Sequence, residues 1–335
     1  TAYKRRTSQR SKAAAYIREA FKYRIALSGT PNSNTILDIW HPTLIVDDGE
    51  RLGQQFFSFR AQVCEPKQVG AATHMVQWLD KEDAEARVAA SLKDITIRHR
   101  FEDCLTIPPN TKKIIYTDLS KKQEKAYNDL KRDALLELDN GDYLEAVHAG
   151  VLAKKLLQVA SGAVYDNEGN SHVIDTARYE LIISLIKERT HSIVAFNWTH
   201  ERDALCKLAD KEGLTFAVID GSVSISERIE IVKHYQKGAY QVLFAHPQSA
   251  AHGLTLTKGV TTIWASPTYN AEHFQQFNRR IYRAGQTKKT ETILIAARGT
   301  WEVAVYDKLD GKLNRMDSLL NLFKQLTELE DGNDR

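Results

Sequence analysis

YELIISLIKERTHSIVAFNWTHERDALCKLADKEGLTFAVIDG, residues 179–221, sets the fold class. YELIISLIKE (179–188) reads as a helix, and the apolar run SIVAFN (192–197) as a strand. THERDALCKLADKEG (199–213) is amphipathic and closes on a glycine, and LTFAVIDG (214–221) is a strand ending in a turn. The rhythm continues with a helix over 224–238, in which Ser224 and Glu227 have capping-box spacing. QVLFAHP (241–247), VTTIWAS (260–266) and ETILIAA (291–297) are further strands. Near-continuous apolar strands alternating with helices predict a doubly wound α/β lobe, its parallel sheet covered on both faces. In such folds ligands sit at the carboxyl ends of the strands, which directs attention to the turns after Asn197, Asp220 and His246.

The segment HFQQFNRRIYRAGQTKK (273–289) lies within this lobe and reads as its next helix. At roughly 100° per residue, Gln276, Arg280 and Arg283 share one face, while Phe274, Phe277 and Ile281 form a stripe on the other side. One face can anchor in a core while the other holds two guanidiniums and an amide. Periodicity alone also fits a plain solvated basic face.

The first half is organised differently. YRIALSG (23–29) reads as one strand ending in a polar turn, and 74–104 as helical. Pro108 and Pro109 mark a boundary before a strand at 112–119, and Ser120 with Gln123 is spaced to cap a helix through Leu138. A helix-rich tail is expected over 301–329. The expected division is 1–110, the end of a first lobe with helical insertion and linker; 111–170, a strand and helical protrusion; 171–300, the second-lobe core; and 301–335, C-terminal helices.

The totals suit two lobes in a chain of 335 residues with a net charge of +3. Basic residues crowd the start, where Lys4, Arg5, Arg6, Arg10, Lys12, Arg18, Lys22 and Arg24 face the single acid Glu19. Such a run could meet phosphates or be a solvated face. Cys64, Cys104 and Cys206 are far apart, which suggests neither a disulfide framework nor a zinc site and fits a reducing cytosol. No apolar run approaches the roughly 20 residues of a membrane span, and no signal peptide is visible. The chain begins at Thr1, so a fragment is expected.

Four ordered segments carry a family resemblance: ALSGTPNSN (26–34), VIDGSVSISERIEIV (218–232), SAAHGLTLT (249–257) and QQFNRRIYRAGQ (275–286). Together they resemble the later motifs of superfamily-two helicases, specifically the Swi/Snf-type double-stranded DNA translocases, with phage and prophage members nearest. LSGTP resembles motif III, IDGS with SERIEIV the stretch after motif IV, HGLTLT motif V, and Gln276–Arg280–Arg283–Gly285–Gln286 motif VI. LKDITIRHRFEDCLTIPPNTKK (92–113) resembles the family's linker. Arg279 stands where that motif VI usually has glycine, and neither GxxxxGK[ST] nor a DEAH-like box occurs in the sequence.

The resemblance implies a RecA-like second lobe with the remainder of a first. It also implies ATP with Mg²⁺, the metal's ligands falling mainly in motifs this sequence does not contain, and DNA, double-stranded or branched, as partner in a cytoplasm. Arg280 and Arg283 would be arginine fingers, with Gln276 orienting the same face. Ser28, Gly29, Thr30 and Pro31 would couple hydrolysis to lobe movement. DNA contacts would come from His252, Gly253 and Thr255, from Asn197 and Trp198, and from Arg98 and Arg100 with His99, Lys112 and Lys113 beside the linker. Trp198 is equally a packed core residue, Asp220–Gly221 turn chemistry alone, His252 a buried turn histidine, Ser28–Pro31 an ordinary turn, and the basic residues beside the linker equally a solvated hinge. No metal-ligand constellation is seen, and the chain alone is expected to be inactive in hydrolysis. The alternative is a non-catalytic RecA-like module that binds DNA or a protein.

Overall fold

A computed structural model describes residues 3–32, 34–68, 76–99, 106–139, 146–166, 168–250 and 253–313. Contacts divide the chain into two units, residues 1–104 with the chain from 310 onward, and residues 105–309.

The first unit contains α1 (Gln9–Ile17), α2 (Trp40–Asp47), α3 (Phe56–Val63), the antiparallel pair β1 (Cys64–Gln68) and β2 (Val76–Asp80), and α4 (Ala84–Leu92). Ser8 caps α1 by accepting from the Ser11 N–H at 3.2 Å, satisfying one of the amides a helix start leaves open. Helix α3 divides its faces by helical spacing. Phe59 and Val63 are buried with Trp40, Val88 and Leu92, whereas Phe57 and Arg60 point elsewhere.

Two expectations are corrected in this unit. Residues 23–29 form no strand. A strand exists only as one side of a hydrogen-bonded ladder, and here Tyr23, Ile25 and Leu27 are 82, 85 and 95% exposed. Residues 76–80, expected as helix, are β2, because pairing with β1 overrides local helical preference. Within 74–104, only α4 among the described residues is α-helical.

The second unit begins with β3 (Asn110–Thr117), α5 (Lys121–Asp139), α6 (Ala146–Ser161) and the hairpin β4 (Ala163–Tyr165) with β5 (Ser171–Val173). The predicted capping box at α5 forms. The Gln123 N–H donates to Ser120 Oγ at 3.4 Å, and the Ser120 N–H to Gln123 Oε1 at 3.0 Å. Gln123 Nε2 also donates to the carbonyls of Val159 and Ala160, fastening α5 to the end of α6.

There follow α7 (Ala177–Lys187), β6 (Ser192–Ala195), α8 (Thr199–Lys211), β7 (Phe216–Ile219), α9 (Ile225–Gln236) and β8 (Val242–Ala245). After a short α10 (Pro247–Ala250) come β9 (Thr261–Trp264), α11 (Ala271–Asn278), β10 (Thr290–Ala297) and α12 (residues 301–313). The six longer strands make one parallel sheet in the order β3-β10-β9-β6-β8-β7. Every residue of β6, β8 and β9 is buried, as continuous apolar runs require. Val194, Phe244, Ile263 and Ile293 pack beneath Tyr179, Ile182, Ile186 and Leu205.

Adjacent strands β6 and β9 send their connections to opposite sides, β6 toward β7 and β9 toward β10. This reversal makes the topological switch point, where doubly wound sheets open a crevice at the carboxyl ends. One buried ion pair closes the architecture nearby. Arg178 at the start of α7 donates to both carboxylate oxygens of Glu302 in α12, at 2.7 and 2.6 Å, and to the Ala265 carbonyl just past β9.

The arginine-bearing segment departs from expectation in one respect. Helix α11 ends at Asn278, and Arg280 and Arg283 lie in the turns that follow, not on the helix. Gly285, at φ +89, takes the left-handed conformation that brings the segment to its stop.

Candidate functional site

The apolar stripe of 273–289 behaves as expected and seats the whole segment. Phe274, Phe277 and Ile281 are all but fully buried. Two of the rings pack on Trp264 of β9, with centroids 4.8 and 5.2 Å apart, and Trp264 Nε1 donates to Asn278 Oδ1 at 3.0 Å. Asn270 caps α11 by accepting from the His273 N–H. The turns beyond Asn278 therefore start from a fixed point at the carboxyl end of β9.

From that point both arginines reach one atom. Arg280 Nη1 donates to the Leu254 carbonyl at 3.1 Å and Arg283 Nη1 to the same oxygen at 2.8 Å. Arg280 Nε donates to the Gln276 carbonyl at 2.7 Å. Two like charges are thus brought side by side, with carbonyls and no carboxylate as partners among the described residues. Burial, and secondarily the charge of Arg283, lowers the Arg280 guanidinium to about 10. A pair of neighbouring, partly desolvated cations with no counter-charge among the described residues is a site suited to an anion with several oxygens.

Gln276 donates to Glu272 Oε1 at 3.0 Å, while its own Oε1 is buried without a hydrogen-bond partner. Arg279 lies over the ring of Tyr282, 5.2 Å from the centroid. Gln286 is a clamp that sequence reasoning gave no role: 5% exposed, it donates to the carbonyls of Thr257, Gly259 and Ile281. Its signal was available, since it ends the motif VI pattern. Gly259 leaves no room for a side chain, because a Cβ would lie 2.6 Å from the Tyr235 hydroxyl.

Leu254 sits between Gly253 and Thr255, two of the residues expected to touch nucleic acid. Both are exposed, and Gly253 has φ +73 with open space where a Cβ would be. The loop 253–257 and the arginine turn are therefore one structural piece, also joined by the Leu256 N–H donating to the Arg280 carbonyl. Arg228 of α9, likewise given no role from sequence, braces the neighbouring chain by donating to the carbonyls of Ser249 and Val223. His252 and Arg100 lie outside the described residues, as does Cys104.

At the switch point Asn197 bridges the two strand ends. Its Nδ2 donates to the Ser266 carbonyl and hydroxyl, each at 3.0 Å, and to the Pro267 carbonyl at 3.2 Å. Glu201, fully buried in the first turn of α8, accepts from the N–H groups of Asn197 and Trp198. Burial pushes its carboxyl up to about 7 against the pull of these bonds and of Arg178. Trp198 lies beside the Lys154 ammonium, 5.7 Å from the ring centroid, and its Nε1 is buried without a partner. His200 is buried between Ser161 and the Tyr165 hydroxyl and is lowered to about 4 by desolvation, so it stays neutral. Asp220 makes a local turn to Ser222 and an ion pair with Arg202.

In the first unit Ser28 Oγ accepts from the Thr30 N–H at 3.1 Å, a local turn that Gly29 leaves uncrowded. Lys4 donates to the Thr30 carbonyl. Thr30 is 1% exposed, and its hydroxyl and Asn32 Oδ1 are buried without partners. Arg98 and His99 lie in non-helical chain past α4, and Lys113 pairs with Glu291 at 3.0 Å. Of the basic start, Arg18 and Arg24 both bind Asp48 and hold its carboxyl far below the usual range. Cys64 and Cys206 are pushed up to about 12 and about 11 by burial and remain thiols. Among the described residues no three His, Cys, Asp or Glu side chains gather as a metal site, and no helix is long and apolar enough to cross a membrane.

A switched parallel sheet with an arginine turn locked to the loop before β9 is the arrangement of a helicase-type RecA-like lobe. Comparison with known proteins gives the family. The SNF2-related domain matches residues 3–161 and the helicase conserved C-terminal domain residues 177–285, so the chain belongs to the SNF2-related helicases. A putative protein p41 of Acyrthosiphon pisum secondary endosymbiont phage 1 is 28% identical over 96% of this chain and 69% of its own length. The mouse chromodomain-helicase-DNA-binding protein 1-like is 23% identical over 87% of this chain. The human DNA annealing helicase and endonuclease ZRANB3 is 26% identical over 72%. The chain spans 32% and 22% of those two relatives. The crystal structure of the C-terminal part of the Fun30 ATPase domain superposes with a TM-score of 0.51 at 14% identity, covering 65% of this chain and 99% of that one.

Proposed function

We propose that this chain supplies the second RecA-like lobe, and the closing part of the first, of an ATP-dependent DNA helicase or double-stranded DNA translocase. The observation that carries the proposal is the convergence of Arg280 and Arg283 on the Leu254 carbonyl with no acidic partner among the described residues. The residues fit a polyphosphate. Two guanidiniums held a few ångströms apart offer unused N–H donors to oxygens over which charge spreads, and burial strengthens the attraction.

Bound ATP would supply the phosphoryl group, whose transfer depends on positioning and on positive charge at the transferred oxygens. In this chain Arg283 and Arg280 do that work as arginine fingers, and Gln276 orients them by accepting from Arg280 Nε at its main-chain carbonyl. Mg²⁺ accompanying the nucleotide needs one or two carboxylates besides the phosphates, and the proposal assigns it no ligand here. Gly253 and Thr255, exposed on either side of Leu254, are suited to the DNA backbone through an amide and a hydroxyl. A shift at the arginines is then felt directly by the DNA-contacting loop. Residues 28–31, in the first unit, take the coupling role on the strength of the family resemblance and the buried, unpartnered Thr30 hydroxyl. Asn197 acts as a brace of the switch point, since its amide already holds Ser266 and Pro267.

The test is DNA-stimulated ATPase of the complete protein, wild type beside Arg283→Ala, with duplex, single-stranded and forked DNA. Loss of a finger costs about 10³–10⁵ in rate in NTPases. The variant is expected to fall by that order while still binding DNA. Equal rates would reduce the arginine turn to a basic face and favour a binding module without an ATPase role.

A further inference from the structure

From the stacking in the first unit we infer a second nucleic-acid-binding surface, a ladder of guanidiniums and aromatic rings built by Arg6, Phe57, Arg60 and Trp78. The Arg60 guanidinium lies 3.8 Å from the Trp78 ring centroid and 5.0 Å from that of Phe57. Arg6 lies 5.3 Å from the centroid of the same Phe57 ring and 5.2 Å from that of Phe56. One ring is thus shared by two cations.

The ladder is anchored from beneath. Phe56 meets Trp40 edge-on at 5.4 Å, and Trp40 belongs to the buried cluster of this unit. Trp78 is fixed by the register of β2 on β1, opposite Pro66. Phe57 and Arg60 stand three residues apart on α3, on the side away from buried Phe59 and Val63.

The pairing pattern separates these cations from the other arginines of the unit. Arg18 and Arg24 bind Asp48, and Arg51 binds Asp94. Arg6 and Arg60 instead have rings as partners, with no ion pair to a carboxylate among the described residues, and Arg60 Nε is buried without a hydrogen bond. A guanidinium lying over a ring can still donate outward in its own plane, for Arg60 through its terminal amino groups because its Nε is buried. Two such N–H groups match the two oxygens of a phosphodiester. Phe57, 59% exposed beside the two guanidiniums, offers exposed ring surface for a base. Guanidinium donors beside an exposed ring match the phosphates and bases of a nucleic-acid strand better than an acidic peptide, which has carboxylates but no bases to stack. DNA as the occupant rests on the translocase reading, whereas the ladder lies outside every helicase motif recognised in the sequence.

The experiment is fluorescence anisotropy of labelled duplex and single-stranded DNA with the whole chain, at several salt concentrations. Wild type is compared with the double substitution Arg6→Gln/Arg60→Gln and with Phe57→Ala. Each neutralised phosphate contributes about 0.9 to the salt slope on duplex and about 0.7 on single strands. The double variant should therefore lose about 1.8 of slope on duplex and bind roughly tenfold more weakly at low salt. Phe57→Ala should weaken single-stranded binding roughly tenfold and leave the duplex slope unchanged.

Should the double variant melt early, Arg6→Lys/Arg60→Lys keeps the charge but removes forks and stacking. It should hold the slope while losing affinity. Unchanged affinity and slope in the arginine variants, or no DNA binding by the wild-type chain, overturns the surface. Equal, equally salt-dependent binding of polyglutamate would overturn nucleic acid as the occupant. The finger assay reads turnover through Arg283, so failure here and failure there are told apart.

Discussion

At the scale of single residues, chemistry in this protein follows from partners more than from residue type. Arg178 and Arg280 are both buried to a large degree, yet one binds a carboxylate bidentately and the other binds carbonyls beside a second cation. The first reads as structure and the second as a site. Glu201 is the corresponding case among acids. Its carboxyl is shifted from an ordinary 4.5 up to about 7 by burial, so between those values the folded protein holds a proton that the unfolded chain releases. Stability from this group is complete below the unfolded value and is lost as pH rises through 7. Glu201→Gln is therefore expected to match wild type at pH 4 and to exceed it at pH 8 by on the order of 3 kcal/mol. Urea unfolding at the two pH values measures this, and parallel pH trends would refute it.

At the scale of elements, the arginine turn depends on the packing of the helix before it. Phe277 is fully buried against Trp264, and the stripe it shares with Phe274 and Ile281 fixes where the turn begins. Phe277→Ala should cost about 3–5 kcal/mol through lost burial and the cavity left. Chemical denaturation reads that cost, and a loss below about 1 kcal/mol would mean that the helix is not held this way. The ion pair between α7 and α12 makes a different forecast. Removing one partner by Glu302→Ala strands a buried guanidinium and exposes the Ala297 amide to an empty site, costing about 3–5 kcal/mol. Replacing both by Arg178→Met/Glu302→Leu should recover much of it, as a double-mutant cycle would show.

For the whole molecule, the two units have different standing. Residues 105–309 close a six-stranded sheet with buried strands and a consolidated core. In the first unit Tyr23, Ile25 and Leu27 stand almost wholly exposed, on chain with strand-like alternation and no strand partner among the described residues. Nor does the 335-residue sequence contain the GxxxxGK[ST] loop that cradles phosphates. The isolated chain is accordingly expected to hydrolyse ATP at background level with or without DNA. Steady turnover stimulated by duplex DNA would contradict the division of labour proposed for it.

What the sequence determined by itself was periodic and local. Apolar runs specified β6, β8, β9 and β10, since a strand covered on both faces has no polar alternative. Capping boxes marked the start of α5, and ordered motifs identified the family. Tertiary structure decided everything that needs a partner. Residues 23–29 have the alternation of a strand and no neighbour to pair with among the described residues, while 76–80 read as helix and pair with β1. Arg280 and Arg283 were correctly grouped, but a helical wheel could not show that α11 stops at Asn278 or that both arginines meet at Leu254. Nor could it separate arginines that bind acids from those stacked on rings. Periodicity is written along the chain, whereas a hydrogen bond across 26 or 29 residues exists only once the fold has closed the distance.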